Sequence, residues 1–282
     1  MNALSSVDYK VLKIFNNNVL LVYGEGKEKI LYSKGIGYGK HENEVIVFNP
    51  KIAKVFSLEC ETNSNKFNQL LEIVDNELIG ICEEMIYMIS EELHEELNEK
   101  IHISFTDHIA FTLKRLKENE EILNPFLIAT ETLYKQEFEI ASKAVRILEK
   151  KTGINIPDGE IGFIALHIHS ARNQGKLSNT IKYTFLSNTV VEYIEDTLNL
   201  SIDKQSIDYA RFITHIRFAI ERIMKKNPIK NELLDVIKHQ YSASYKLAQK
   251  IGKLIEDDLH LKVVDDEIGY IAIHIERFKN AC

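Results

Sequence analysis

The stretch EIGFIALHI at 160–168 returns as EIGYIAIHI at 267–275, an offset of 107 residues. The same offset, without a gap, carries His108 onto His215, Arg115 onto Arg222 and Asn124 onto Asn231. It also carries Tyr134 onto Tyr241, Phe138 onto Tyr245 and Ala141 onto Ala248. Such register over a hundred residues means one domain present twice. Apolar residues recur at three- and four-residue spacing through both copies, and Gly and Pro fall mostly at breaks (Pro125, Gly153, Pro157, Pro228). The pattern predicts two homologous all-α helical bundles, at roughly 65–172 and 175–282. The first opens on NKFNQLLEIVDNELIGICEEMIYMISEELHEELNEK, a helical pattern sustained for about nine turns.

The first 58 residues have another texture. YKVLKIF, VLLVY, EKILYS and EVIVF are strand-length runs, separated by NNN, GEGK and KGIGYGKHEN. They predict four short antiparallel strands, and a sheet that small is marginal alone, so self-association would cover its exposed face. Asparagine is a poor strand residue, and one would suffice for a hairpin turn. Three in a row, facing a loop of Ser33, Lys34, Gly35, Gly37, Tyr38 and Gly39, present amides that something can read. Charge agrees: these 58 residues hold eight lysines against five acids, whereas the whole chain of 282 residues carries -7. A basic module on an acidic body places an anionic partner at one end.

No apolar run approaches the ~20 residues that span a bilayer, and Met1 is followed by polar, unpatterned residues, with no signal peptide. Three scattered cysteines (Cys60, Cys82, Cys282) suit a reduced cytoplasmic compartment and provide neither disulfide framework nor metal site.

The duplicated histidines carry the chemistry. Ser104 and Asp107 have the spacing of a helix start, which predicts His108 in a first helical turn. Around His215, Ile213, Ile216 and Ile220 form a buried stripe. In the repeated motif Ile161, Ile164, Ala165 and Ile168 share one helix face, and Glu160, Phe163 and His167 another. Glu160 and Glu267 fall in first turns, where the helix dipole favours acids. Packing in the core and a chemical role both fit histidines preserved in two copies. Metal binding lacks partner ligands, and base catalysis lacks a nucleophile. Phosphoryl acceptance needs only a neutral imidazole nitrogen, and its product adds about two negative charges, enough to make or break an interface.

The order NNNV … KGIGYGK, then TDHIAF, then EIGFIALHIHSA and a second histidine-bearing copy resembles the LicT/SacY/BglG family of transcriptional antiterminators. NEKIHISFTDHIAFTLKR and THIRFAIERI are especially similar to its GlcT branch. The resemblance implies a multidomain chain: a small all-β, dimeric RNA-binding domain over 1–60, then two regulation domains over 65–172 and 175–282 that the sugar phosphotransferase system phosphorylates. It implies RNA contacts by Asn16, Asn18, Lys34, Gly35 and Tyr38, and phosphorylation of His108, His167, His215 and His274. The implied partners are a leader-mRNA hairpin, HPr and a sugar-specific permease as phosphoryl donors, and a second copy of the chain. No cofactor and no enzymatic turnover are implied. Ser33 stands where the family usually has glycine, and Lys34 where several members have arginine, which keeps the charge but loses the planar fork. Residues 1–8 extend beyond the usual start. A DNA-binding activator with the same regulation domains is the alternative, and it would need a helix-turn-helix in place of the β-patterned segment. A relay enzyme passing phosphate onward would need a substrate pocket.

Overall fold

The computed structural model describes residues 7–48, 54–173, 176–227 and 229–281; Pro228, Cys282 and most of the 1–8 extension lie outside them. Its chain divides into two compact units. One comprises residues 1–124 and 136–177, the other residues 125–135 and 178–282.

The first unit opens on β1 (Val7–Asn16), β2 (Val19–Gly24), β3 (Lys27–Tyr32), β4 (Val45–Phe48) and β5 (Lys54–Ser57). They form one antiparallel sheet in the order β4-β1-β2-β3-β5. That is one strand more than the four expected. The fifth, KVFS, is a four-residue edge strand too short to show alternation. Tyr9, Val11, Leu20, Val22, Leu31 and Ile46 bury one side of the sheet. Phe15, Val19, Leu21 and Ile30 pack instead with Phe67, Leu70 and Ile79 of the first two helices.

Those helices are α1 (Glu61–Ile73) and α2 (Asn76–Leu93). The nine-turn pattern is therefore two helices, and the break has a local cause. Val74 is extended, and Asp75 caps α2 by accepting from the backbone N–H groups of Glu77 and Leu78. α3 (Ile101–Lys117), α5 (Lys135–Thr152) and α6 (Asp158–Arg172) complete a helical core around Met85, Ile86, Phe105, Ile109, Ala144 and Ile164.

In the second unit α4 (Leu127–Leu133) joins α7 (Leu177–Leu198), α8 (Ile207–Met224), α9 (Leu234–Gln240), α10 (Ser242–Leu259) and α11 (Asp265–Ala281). α4 and α9 keep the 107-residue offset at both ends, as do α5 and α10. The stripe Ile213, Ile216 and Ile220 is buried as expected. The duplicated asparagines explain themselves here. Asn124 Nδ2 donates to the Gly159 carbonyl at 3.0 Å and Asn231 Nδ2 to the equivalent Asp266 carbonyl at 3.4 Å, each tying a loop to the start of a histidine-bearing helix.

Candidate nucleic-acid interface and paired histidines

The asparagine turn and the glycine loop are knitted into one surface. The Asn18 N–H donates to Asn16 Oδ1 at 2.8 Å, which shapes the turn. Asn18 Oδ1 accepts from the Gly35 N–H at 2.9 Å, and the carbonyls of Asn17 and Asn18 accept from Gly37 and Ser33. Gly37 is required by close approach, because a Cβ there would overlap the Asn16 carbonyl oxygen. Lys34 and Gly35 are exposed, and the Tyr38 ring is 78 % exposed, an apolar plate held out on a tethered loop. The five residues singled out in this module thus share one surface, but the two amide donors are not free. Asn16 Nδ2 and Asn18 Nδ2 both donate to Glu84 Oε1 of α2, at 2.9 Å each.

The four histidines form two pairs. His108 of α3 and His167 of α6 lie with ring centroids 4.9 Å apart, and His215 of α8 and His274 of α11 at 4.7 Å. His108 sits in the middle of α3, not in a first turn: the helix starts at Ile101, with the Asn98 side chain accepting from the Lys100 N–H ahead of it. Ser104 and Asp107 are interior residues whose spacing mimics a cap.

Burial, followed by the charge of its partner His108, pushes the His167 imidazole down to about 3, and its Nδ1 has no partner. Burial, then His215 and Arg277, pushes His274 down to about 4. Burial, with Arg222 and Arg277 beside it, lowers exposed-side His215 as well. These three rings favour the neutral form, whose unprotonated nitrogen is nucleophilic.

Each copy also holds an arginine–glutamate contact, buried in the first and part-buried in the second. Glu160, 1 % exposed, accepts from Arg115 Nη2 at 2.8 Å and Thr112 Oγ1 at 3.0 Å, and lies 3.1 Å from His108 Nε2 without hydrogen-bond alignment. Burial raises this carboxyl, but His108, Arg115 and Thr112 offset that and hold it below the usual carboxylate range. In the second copy Ala219 replaces Thr112, and Arg222 takes both Glu267 oxygens at 2.6 Å. The offset of 107 carried both members of this pair, yet gave no sign that they meet. His102, not duplicated, pairs instead with buried Glu83 of α2 at 2.7 Å.

Among the described residues no helix is long and apolar enough to cross a membrane. Comparison with known proteins places these features in a context. Residues 9–65 match the CAT RNA binding domain, and residues 83–171 and 188–278 each match the PRD domain. The chain is 41 % identical over 275 residues to the PtsGHI operon antiterminator of Bacillus subtilis, spanning 96 % of this chain and 98 % of that one. It is 35 % identical to Protein GlcT of Staphylococcus haemolyticus, over 97 % of both chains. It is 34 % identical to the transcription antiterminator LicT of Bacillus subtilis, over 95 % of this chain and 98 % of the relative. A crystal structure of GlcT CAT-PRDI, 43 % identical, aligns with a TM-score of 0.51 over 58 % of this chain and 98 % of that chain.

Proposed function

The chain belongs to the LicT/SacY/BglG family of transcription antiterminators, and from that membership we propose that it binds a hairpin in nascent leader mRNA and keeps an overlapping terminator from forming. The observation that carries the reading is the knitted surface of the asparagine turn and glycine loop. Amides of Asn16 and Asn18 suit base edges or a 2′-OH, the exposed Tyr38 ring suits an unpaired base, Lys34 suits phosphate, and Gly35 lets a strand approach closely. The described part of the N-terminal module holds strands and turns, where a DNA-binding activator would carry a helix-turn-helix.

Regulation acts through His108, His167, His215 and His274. A phosphoryl group passes from HPr or a sugar permease to an imidazole nitrogen; the donor's bond to phosphorus breaks as the new N–P bond forms. On His108 the added charge of about -1.5 to -2 would stand beside the Glu160 carboxylate, so the helices must rearrange to solvate or pair it. The protein accepts the group without turning over a substrate, and it works in the cytoplasm, where nascent mRNA is made. Exposed Tyr23 and Val45, both registered against Lys10, together with Val47 lie on the same side of the sheet as Leu21 and leave an apolar patch there on which two sheets can pair into a homodimer.

Selection from a random RNA pool by the full-length chain tests the proposal. A recurring stem-loop, bound more weakly as salt rises and by a dimer, is expected. No preference for any RNA over duplex DNA would overturn it.

A further inference from the structure

Glu84 of α2 engages both asparagines of the turn proposed to read RNA. Each asparagine has spent its acceptor oxygen on the turn: Asn16 Oδ1 on the Asn18 N–H, Asn18 Oδ1 on the Gly35 N–H. Those bonds fix the amide orientation and aim both NH2 groups the same way. Both end on one oxygen, Glu84 Oε1, at 2.9 Å. The other oxygen, Oε2, is held by Lys151 Nζ of α5 at 3.2 Å.

One face of α2 is shaped for this contact. Gly80, one turn before Glu84, leaves room for the Asn16 amide: a Cβ there would fall 2.5 Å from Asn16 Nδ2. One turn after Glu84, Tyr87 stacks on Tyr32 of β3 with ring centroids 4.0 Å apart. Positions 80, 84 and 87 lie at i, i+4 and i+7, a single stripe facing the sheet. Next to Glu84, Glu83 points to the other side and pairs with His102 of α3, the helix that carries His108.

A carboxylate oxygen accepts hydrogen bonds as a phosphate oxygen or a base carbonyl does, and it bears the charge that RNA bears. We propose that Glu84 is an intramolecular occupant of the RNA-reading amides, a latch that an RNA hairpin must displace before Asn16 and Asn18 can read it. This rests on the antiterminator reading and adds its closed state. RNA competes with this contact. Glu84 holds the amide hydrogens that Asn16 and Asn18 turn toward α2, and its negative charge, offset in part by Lys151, opposes the approach of the phosphate backbone. The apparent affinity of the full chain is then the intrinsic affinity scaled by the fraction of molecules with the latch open.

The test uses the full-length chain and a hairpin selected from a random RNA pool by both the wild type and Glu84→Ala. Glu84→Ala removes the acceptor, and Glu84→Gln keeps one acceptor oxygen while losing the charge. Affinity should rise by about tenfold or more for alanine and by less for glutamine. Glu77→Gln, an exposed acid on the same helix, measures the effect of charge alone and should change affinity less than twofold. A folded Glu84→Ala chain that binds its selected hairpin no tighter than wild type overturns the latch and leaves the antiterminator reading standing. Weaker binding would make Glu84 a support for the asparagines, which also overturns it. If neither form selects any RNA, the functional reading fails, and the latch with it.

Discussion

His167→Gln should flatten the acid sensitivity of the first unit and leave the second unit alone. Burial holds the folded His167 imidazole at about 3, against 6.5 when unfolded. Protonation therefore favours the unfolded chain: stability is complete above pH 6.5 and is lost as pH falls below it. Between pH 7 and pH 5 the linkage amounts to about 2 kcal/mol, approaching ~1.4 kcal/mol per pH unit at the acid end. A folded value anywhere at or below 4 gives nearly the same loss, because the window lies above it. The depressed carboxyls nearby do not confuse the reading. Glu137 and Glu160 are lowered, so their stabilisation is complete above the ordinary carboxylate range and is lost only at lower pH. Since the chain has no tryptophan, hydrogen exchange with mass spectrometry is the suitable assay. Peptides from α6 report opening of the first unit and peptides from α11 that of the second. In the wild type, opening at α6 should become about 2 kcal/mol easier from pH 7 to pH 5 after correction for intrinsic exchange. His167→Gln should remove most of that slope while α11, which carries His274, keeps its own. An unchanged slope at α6 would refute the argument that His167 is buried neutral.

Tyr38→Ala should cost roughly 1–3 kcal/mol in RNA affinity, the range for a lost base stack, with unfolding of the sheet unchanged; equal losses in both would assign the ring to packing. Arg222→Ala strands the buried Glu267 carboxylate and should destabilise the second unit by about 3–5 kcal/mol, whereas Arg115→Ala leaves Glu160 with Thr112 and His108 and should cost the first unit less; the comparison is made by exchange at α11 and α6. Labelling by phosphorylated HPr and permease, followed by neutral-pH mass spectrometry, should reach exposed His215 before buried His167; His167 modified first would contradict the burial argument.

What could be read from the chain and what could not divides along the distance over which each contact reaches. The repeat was legible because buried contacts recur inside each copy. Arg115 with Glu160 and Arg222 with Glu267 must be preserved together or leave a charge unpaired. The helical spacing was legible for the same reason, since Ile213, Ile216 and Ile220 meet one core. Local signals misled where two structures share one pattern. Ser104 and Asp107 have the spacing of a cap, yet the helix had already begun at Ile101. Asp75 is a true cap inside an unbroken apolar rhythm, because α1 and α2 both bury the same kind of stripe against the sheet and core.

Glu84 was beyond any local reading. In ICEEMIYM it is the second of two adjacent acids, and nothing in their neighbourhood distinguishes them. One residue of helix rotation separates their fates: Glu83 turns inward to His102, and Glu84 turns to asparagines 66 and 68 positions earlier in the chain. The asparagines themselves had suggested amides held out for a ligand. In the structure those amides donate to an acceptor from the chain itself, Glu84 Oε1. A regulated RNA reader gains from this arrangement: an unoccupied reading surface would bind whatever RNA it met. A surface filled by an acid from its own regulatory helix binds only a ligand that competes well, or any ligand once that helix moves.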